Sequence, residues 1–305
     1  MLNREIPAAH CSDAALYAAD EARKRSAVVF GFGPVGQALV RQLADEGVRI
    51  VGIVRSRGVF NERGDEIAPR AAWESFVTDA DMTFIALPTV GVGQDALPYV
   101  QGSLTRGKRV ITAEKASLAS NPELLMRADG LLRYNATVGG ATRMLKHIAE
   151  HQGLINEIEA VVNGTLNYLS SRMKEGASRD EAIDEARKGK YLETDTDDIR
   201  IILEDESRDV VRKAVILANR SGMFDRPITE ADVTFQMPEN GDLLSKRCVV
   251  RITPDGIQAG FVGNGEEEWL PKGVNNALRI NGQKVTEGPG AGAEITARTM
   301  IEDSK

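Results

Sequence analysis

The chain has 305 residues and a net charge of −7, with 42% hydrophobic and 27% charged residues. This length and composition are typical of a globular protein of about two domains, and the acidic balance without a basic cluster argues against a nucleic-acid-binding surface. Two cysteines, Cys11 and Cys248, are too few for a disulfide framework or a thiolate metal site. No secretory signal or bilayer-length apolar run is visible, so we expect a cytoplasmic protein without a membrane partner.

Residues 1–25 precede the first predicted strand. Ser12 and Asp13 are suitable caps for a short helix that runs to about Arg25, and we interpret this N-terminal extension as a surface helix without a functional role. The apolar run Ala27–Phe30 then predicts a strand that leads directly into Gly31-Phe32-Gly33-Pro34-Val35-Gly36.

This Gly-x-Gly-x-x-Gly segment predicts a dinucleotide site, because apolar residues at helical spacing follow it. Gly31 is expected to make the tight turn, and Gly33 to let the backbone approach a pyrophosphate. Gly36 is expected to let the helix pack on the strand, with the helix N-terminus facing the phosphates. Pro34 suits the first helical turn, where no N–H is needed. The alternative is a plain strand–helix turn without a ligand.

The end of the second predicted strand, Val48–Val54, indicates which nucleotide binds. An acidic residue at this point usually holds the ribose 2′-hydroxyl, whereas this chain has Arg55-Ser56-Arg57. Guanidinium groups attract a 2′-phosphate, so we predict NADP, with NAD as the alternative. The alternative is that these arginines lie in a solvated loop and do not recognise the group at the ribose 2′ position.

Further strands separated by helical stretches predict a repeated βαβ pattern and a parallel sheet, namely Met82–Leu87, Lys108–Ile111 and Leu131–Tyr134. From about residue 137 the pattern changes to a mixture of helices and short strands. The predicted segments are Arg143–Gln152, Ile155–Val162, Leu166–Glu175, Arg179–Lys188, Ser207–Arg220, Cys248–Ile252, Gly256–Phe261, Ala277–Ile280 and Lys284–Thr286. The fold class is therefore α/β, a Rossmann-type dinucleotide-binding domain with a second α+β domain.

Several stretches, taken in order, resemble the homoserine dehydrogenase family in its short form without a regulatory domain. They are Gly31–Gly36, Ile111–Lys115, Tyr134–Gly140, Asn163–Tyr168, Gly189–Asp195, Arg208–Lys213 and Glu287–Gly292. The resemblance runs from about residue 26 to the C-terminus. Its most specific markers are Asn-Gly-Thr-x-Asn-Tyr and Gly-Pro-Gly-Ala-Gly.

The resemblance implies reversible oxidation of L-homoserine to L-aspartate 4-semialdehyde with a nicotinamide cofactor, a step in threonine and methionine biosynthesis. It implies that Lys115 and Lys213 are catalytic, and that Glu193 and Asp209 hold the substrate ammonium group and orient the lysines. Other implied substrate residues are Asn163, Gly164, Thr165 and Tyr191. The implied cofactor residues are Gly31, Phe32, Gly33, Pro34, Val35, Gly36, Arg55, Arg57, Pro88, Thr89, Lys115, Gly288 and Gly292.

Local spacing is consistent with these roles. Asp209 and Lys213 are four residues apart and share a helix face, although an ordinary exposed ion pair would look the same. Lys115 follows a buried strand at its carboxyl end, where open α/β sheets bind ligands, although a surface lysine is the alternative. The glycine-rich stretch Gly288–Gly292 is expected to open the last helix.

The chain departs from the family pattern near the expected substrate pocket. Glu114 replaces the usual asparagine, and Asn135 replaces a glutamate where, with Val138 and Gly140, the resemblance implies a monovalent cation. Thr142-Arg143 replaces a small-residue and proline turn. Arg143 could meet an extra carboxylate on a different substrate, or be an exposed first-turn residue. The alternatives are thus a dehydrogenase of another small amino-acid alcohol or carbonyl compound, or a non-catalytic NADP-binding homologue.

The segment between Glu193 and Asp209 is longer than usual and strongly acidic. Its spacing does not match a calcium loop, so we interpret it as part of the substrate site followed by a solvated acidic loop. The resemblance implies a nucleotide domain of residues 26–136 plus 287–305 and a substrate-binding and dimerisation domain of residues 137–286. It also implies a homodimer, for which the strands of residues 277–286 could serve.

Overall fold

The structure is a computed structural model that describes residues 25–126, 130–189, 191–192, 196–238, 246–263, 268–290 and 292–305. The helix predicted from Ser12 to about Arg25 falls almost wholly outside these ranges. Within them the strands form a seven-stranded and a six-stranded sheet. None of the helices described is long and apolar enough to cross a membrane.

The first sheet has the order β4-β3-β2-β1-β5-β6-β7. Its strands are β1 (Ser26–Phe30), β2 (Arg49–Val54), β3 (Gly58–Phe60), β4 (Glu66–Pro69), β5 (Met82–Ile85), β6 (Arg109–Thr112) and β7 (Leu132–Arg133). Five neighbouring strands of this sheet, β2, β1, β5, β6 and β7, are parallel, as predicted. The chain builds the sheet outward from β1 in one direction and then returns to β5 on the other side. Such a switch point is where open α/β sheets bind ligands, at the carboxyl ends of the strands.

Helices cover both faces of this sheet, which explains why all residues of β1 and β5 are buried. Its helices are α1 (Pro34–Asp45), α2 (Trp73–Asp79), α3 (Leu97–Thr105), α4 (Ala116–Ser120) and, from the end of the chain, α9 (Ala293–Asp303). The last helix packs along α1, where the Gln42 Nε2 donates to the Glu294 main-chain oxygen at 3.2 Å. The C-terminal segment therefore belongs structurally with the first sheet.

The β3–β4 hairpin was not predicted; β3 pairs antiparallel with β2, and β4 pairs antiparallel with β3. The sequence carries little signal for it, because β3 has only three residues and β4 is largely exposed. The Asn61 side chain organises its turn by accepting from the Arg63 and Asp65 backbone N–H groups, both at 2.9 Å. An asparagine that bonds its own backbone two residues on is a common way to fix a turn.

The second sheet has the order β13-β12-β8-β10-β11-β9. Its strands are β8 (Ile158–Val161), β9 (Val233–Gln236), β10 (Lys246–Thr253), β11 (Gly256–Gly263), β12 (Asn275–Ile280) and β13 (Gln283–Pro289). The helices of this part are α5 (Met144–Glu150), α6 (Gly164–Lys174), α7 (Arg179–Lys188) and α8 (Ile199–Ser221). Short 3₁₀ turns lie at Arg70–Ala72, Pro122–Leu124, Asn135–Thr137, Gly140–Thr142 and Glu230–Asp232. The predicted α+β domain is thus present, with β9 as an unpredicted edge strand.

The helix α8 is longer than predicted. It begins at Ile199, capped by the Asp198 side chain, rather than at Ser207. The interpretation of residues 199–206 as a solvated acidic loop is therefore wrong. Buried Ile202 and Leu203 continue the apolar stripe of the helix toward its N-terminus, and the acidic residues between and after them obscured this period.

The glycine turn after β1 explains each of its glycines in steric terms. Gly31 has a φ of +96°, and a Cβ there would lie 2.4 Å from the Ala86 carbonyl oxygen. A Cβ at Gly36 would lie 2.3 Å from the Gly31 carbonyl oxygen, so helix and strand could not approach. A Cβ at Gly33, whose φ is −70°, would have no neighbouring atom within 4 Å. Two glycines are thus required by the fold, and the third borders open space.

We predict that Gly36→Ala lowers the free energy of unfolding by about 1–3 kcal/mol, the usual cost of forcing extra volume into a packed site. Gly33→Ala is the matched control, since its backbone conformation suits alanine, and it should change stability by less than about 0.5 kcal/mol. Urea denaturation of both variants measures the difference. Equal losses in the two variants would contradict this account of the turn.

Candidate active site

The crevice at the carboxyl ends of β5 and β6 is lined by Lys115. This residue lies three positions after the end of β6, at the N-cap of α4, and its backbone N–H donates to the Thr89 hydroxyl at 3.4 Å. Glu114 beside it is fully buried, and its carboxylate accepts from the Ala116 and Ser117 backbone N–H groups at 2.7 and 2.9 Å. Glu114, noted as a departure from the family pattern, therefore caps α4 and fixes the backbone that carries Lys115.

The second sheet's domain supplies Asp209 and Lys213 from one face of α8. The Lys213 Nζ lies 2.6 Å from Asp209 Oδ2, and the Lys115 Nζ lies 3.2 Å from Asp209 Oδ1. The Lys213 ammonium also donates to the Val162 carbonyl oxygen at 2.6 Å. An ordinary exposed helix pair does not describe this arrangement, because the Lys213 side chain is only 12% exposed and a lysine from the other domain joins it.

The charges around Asp209 determine its ionisation. Burial alone would raise the pKa of the Asp209 carboxyl, but the Lys115 and Lys213 ammonium groups beside it hold that pKa well below its usual range. Asp209 is therefore an anion at any physiological pH. It holds two cations next to each other at the mouth of the crevice.

Glu206 also belongs to this cluster, and the sequence analysis did not assign it. The Asn163 side-chain N–H group donates to Glu206 Oε2 at 2.7 Å and to Asp209 Oδ2 at 3.2 Å, so one amide bridges the two carboxyl groups. Burial, together with the neighbouring Asp209 charge, raises the pKa of Glu206 to about 7. The signal that could have found it is spacing, because Glu206, Asp209 and Lys213 recur at i, i+3 and i+7 on one helix face.

The predicted substrate residues 163–165 lie where β8 leads into α6. The Asn163 side-chain oxygen caps α6 by accepting from the Leu166 N–H at 2.8 Å. The Thr165 hydroxyl donates to the Tyr191 carbonyl at 2.6 Å, and Gly164 begins the helix. Asn163 thus joins the Asp209 cluster, and Thr165 ties it to the Tyr191 segment. Glu193 lies outside the described residues, so its place in the site stays a prediction.

The predicted cofactor residues border one continuous edge of the first sheet. Gly31, Phe32 and Gly33 form the turn after β1, and Pro34 and Val35 open α1. Pro88 and Thr89 lie three and four residues after the end of β5, and Thr89 is next to Lys115. Arg55 follows β2 and lines a cavity with Phe32, whereas Arg57 is exposed and is not among the residues that line it.

The second glycine-rich stretch reaches the same part of the molecule in a way that differs from the prediction. Gly288 lies within β13, which ends at Pro289, rather than opening a helix, and Gly292, with a φ of +130°, is the N-cap of α9. The backbone here passes close to Gly140, where a Cβ would lie 2.7 Å from the Gly290 carbonyl oxygen. This close contact carries the chain from the second sheet back to α1.

Arg143 and Asn135 both face α9. Arg143 forms an ion pair with Glu302 of α9. Asn135 donates from its backbone and side-chain N–H groups to the Asp303 carboxylate, at 2.9 and 2.6 Å. Burial raises the pKa of Asp303. Asp303 thus brings a carboxylate to Asn135, and the monovalent cation expected near Asn135, Val138 and Gly140 stays a prediction.

In the part of the chain that the structure describes, no group of three or more His, Cys, Asp or Glu side chains could hold a metal ion. A Rossmann-type sheet with a glycine turn at its switch point, facing two lysines held by one carboxylate, is the site of an NAD(P)-dependent oxidoreductase.

Comparison with known proteins gives the family. The homoserine dehydrogenase family model matches residues 142–259. The chain is 26% identical to the homoserine dehydrogenase of Sulfurisphaera tokodaii, with 90% of this chain and 96% of that protein covered. It is 31% identical to the homoserine dehydrogenase of Mycobacterium leprae over 77% of this chain, and it spans about half, 53%, of that relative.

Among solved structures, a hyperthermophilic archaeal homoserine dehydrogenase in complex with NADPH is similar in fold. Its TM-score is 0.73 at 23% identity, with 92% of this chain and 97% of that chain covered. The chain thus carries a homoserine dehydrogenase family domain over residues 142–259, and its similarity to members of that family extends over 90% of the chain.

The raised pKa of Glu206 can be detected through the pH dependence of the free energy of unfolding. Because the pKa of Glu206 is higher in the folded state than in the unfolded chain, its contribution to stability is full below about pH 4.5 and is lost as the pH rises through about 7. Glu206→Gln keeps the shape of the protonated side chain without this loss. We predict that this variant gains stability relative to the natural protein between about pH 5 and about pH 8, by urea denaturation.

The matched control for that titration is Glu204→Gln. Glu204 lies on the same helix, but it is exposed and pairs with Arg208 at 2.5 Å. A stability difference for Glu206→Gln that does not change with pH would show that Glu206 is ionised alike in the folded and unfolded states.

Proposed function

We propose that this protein interconverts L-homoserine and L-aspartate 4-semialdehyde with NADP as the preferred cofactor. The observation that carries the proposal is the meeting of Lys115, from the nucleotide-binding sheet, with Asp209 and Lys213, from the second domain. The match to the family supports the reaction, and the NADPH complex of a relative with the same fold supports the cofactor.

The residues present suit a dinucleotide. Open space borders Gly33, and α1 begins directly after it, so the helix N-terminus can meet a pyrophosphate. When bound, the nicotinamide supplies or accepts the hydride of the reaction. Gly31 and Gly36 shape the turn, Arg55 lies toward the 2′ end, and Thr89 and Lys115 border the path toward the second domain.

Lys213 is the residue best placed to move the proton. Its ammonium group donates to Val162 O and Asp209 Oδ2, and an ammonium has three N–H groups. Among the described contacts this leaves one N–H for a substrate oxygen. In the direction of reduction Lys213 would give a proton to the aldehyde oxygen, and in oxidation it would receive the proton of the hydroxyl. Lys115 would stabilise the negative charge that develops on that oxygen.

The acidic side of the cluster suits the ammonium group of an amino acid. Asp209 and Glu206 lie on one helix face with Asn163 between them, so a cation that enters here finds carboxyl oxygens already oriented. Glu193, as the family resemblance implies, would complete this subsite. The alternative of a substrate with a second carboxylate at Arg143 gains no support, because Arg143 is paired with Glu302.

We propose further that the protein is a homodimer and works in the cytoplasm. β13 lies at the edge of the six-stranded sheet, and among the described strands only β12 pairs with it. An exposed sheet edge can pair with another chain, so a second copy would cover it. Light scattering coupled to size-exclusion chromatography should give twice the mass of one chain; a monomer would refute the dimer.

Lys213→Ala should remove most of kcat for homoserine oxidation, by about 10²–10⁴-fold, since it deletes the group that exchanges the proton. NADP affinity, measured by calorimetry without substrate, should stay nearly unchanged. The control is Lys146→Ala, which removes an exposed lysine that pairs across one helical turn with Glu150.

Two results would contradict this proposal in different ways. No turnover of homoserine or aspartate 4-semialdehyde by the natural protein, with intact NADP binding, would reject the substrate. A Lys213→Ala variant that keeps its kcat, or that loses NADP binding, would reject the role of Lys213.

A further inference from the structure

An open cavity of about 260 Å³ lies between the glycine turn and the β3–β4 hairpin. It is lined by Phe32 of the glycine turn and Arg55 at the end of β2, together with Phe60, Glu62 and Arg63 of the hairpin. In dinucleotide-binding folds the end of β2 is where the ribose 2′ group is recognised. The hairpin therefore closes the adenosine end of the predicted cofactor site.

Arg55 is held within this cavity by aromatic contacts. Its guanidinium carbon lies 5.0 Å from the centroid of the Phe32 ring and 4.6 Å from that of Phe60. Such stacking orients a guanidinium plane without using its N–H donors. The main chain contributes as well, because the Arg55 N–H donates to the Gly58 carbonyl at 2.9 Å.

The tight turn between β2 and β3, which this Arg55–Gly58 hydrogen bond closes, determines where Arg57 lies. The bond from Arg55 to Gly58 places Ser56 and Arg57 at the tip of the β2–β3 connection, where both are exposed. Arg57 is not among the residues that line the cavity. The second arginine expected from the sequence is thus displaced from the 2′ end.

Arg63 is the second arginine that does line the cavity. The Asn61 side-chain oxygen accepts from the Arg63 backbone N–H at 2.9 Å, and the Gly64 N–H donates to the Asn61 carbonyl at 3.1 Å. These bonds fix the backbone that carries Arg63. Within the described residues, its guanidinium forms no hydrogen bond or ion pair that would hold it away from a ligand.

We propose that Arg63 and Arg55 together bind the 2′-phosphate of NADP, and that the β3–β4 hairpin thereby determines the preference for NADP over NAD. Two arginines that line one cavity can both donate to a phosphate, whose charge of nearly two needs more than one partner. Glu62 of the same hairpin adds an opposing charge. This inference rests on the proposed use of NADP, and it assigns the selectivity to residues 55 and 63.

The test is the affinity for NADP and for NAD, measured by isothermal titration calorimetry without substrate. Arg63→Ala should raise the Kd for NADP about tenfold or more, since a charge-assisted hydrogen bond is lost, and change the Kd for NAD less than about twofold. Arg57→Ala is the matched control and should change neither constant more than about twofold. Glu62→Gln should lower the Kd for NADP, because it removes a repulsive charge.

The outcomes separate this inference from the proposed function. Failure of the natural protein to bind NADP would reject the proposed cofactor itself. NADP binding that is weakened by Arg57→Ala but not by Arg63→Ala would overturn the inference alone. Equal weakening of NADP and NAD by Arg63→Ala would assign the hairpin to adenosine rather than to the phosphate. Because Arg63 is exposed on a turn, thermal unfolding should show that each variant folds.

Discussion

A single carboxylate, that of Asp209, lies between two ammonium groups that come from different domains. Lys115 reaches it from the first sheet, and Lys213 reaches it from the same helix. The pKa of Asp209 is held low by these two cations, so the carboxylate stays charged and the lysines stay close together. Without that anion, two like charges would face each other at the mouth of the crevice.

The rest of the site depends on parts that hold this cluster in place. Glu114 caps the helix that carries Lys115, and Asn163 caps α6 while its amide bridges Glu206 and Asp209. The long helix α8 places three functional side chains on one face, and because Asp198 caps its start, the helix includes the acidic residues 199–206. Helix capping and catalytic positioning are thus served by the same residues.

The sequence predicted the fold class and most elements because their signals are local. Continuous apolar runs identified β1 and β5, and the three glycines predicted the turn after β1. The structure shows that Gly31 and Gly36 are required there for steric reasons. The β3–β4 hairpin gave no such signal, since one strand is three residues long and the other is exposed. The start of α8 was missed because acidic residues interrupt its apolar stripe.

The site was predicted in part, for a physical reason. The family resemblance located Lys115, Asp209 and Lys213. The ion pair between Lys115 and Asp209, which are far apart in the sequence, follows from tertiary packing and not from spacing. Glu206 was overlooked because its pKa and its bridge through Asn163 arise only when α6 and α8 meet. Arg63 was overlooked because it belongs to the unpredicted hairpin, whereas Arg57, which the sequence favoured, lies on an exposed turn.

The central claim is that Asp209 organises the two lysines for proton transfer. The direct measurement is kcat for homoserine oxidation by Asp209→Asn at saturating NADP, together with the Kd for NADP. The account predicts a loss of kcat of about 100-fold or more with a change in Kd of less than about threefold. A variant that retains kcat within a few-fold of the natural protein would contradict it.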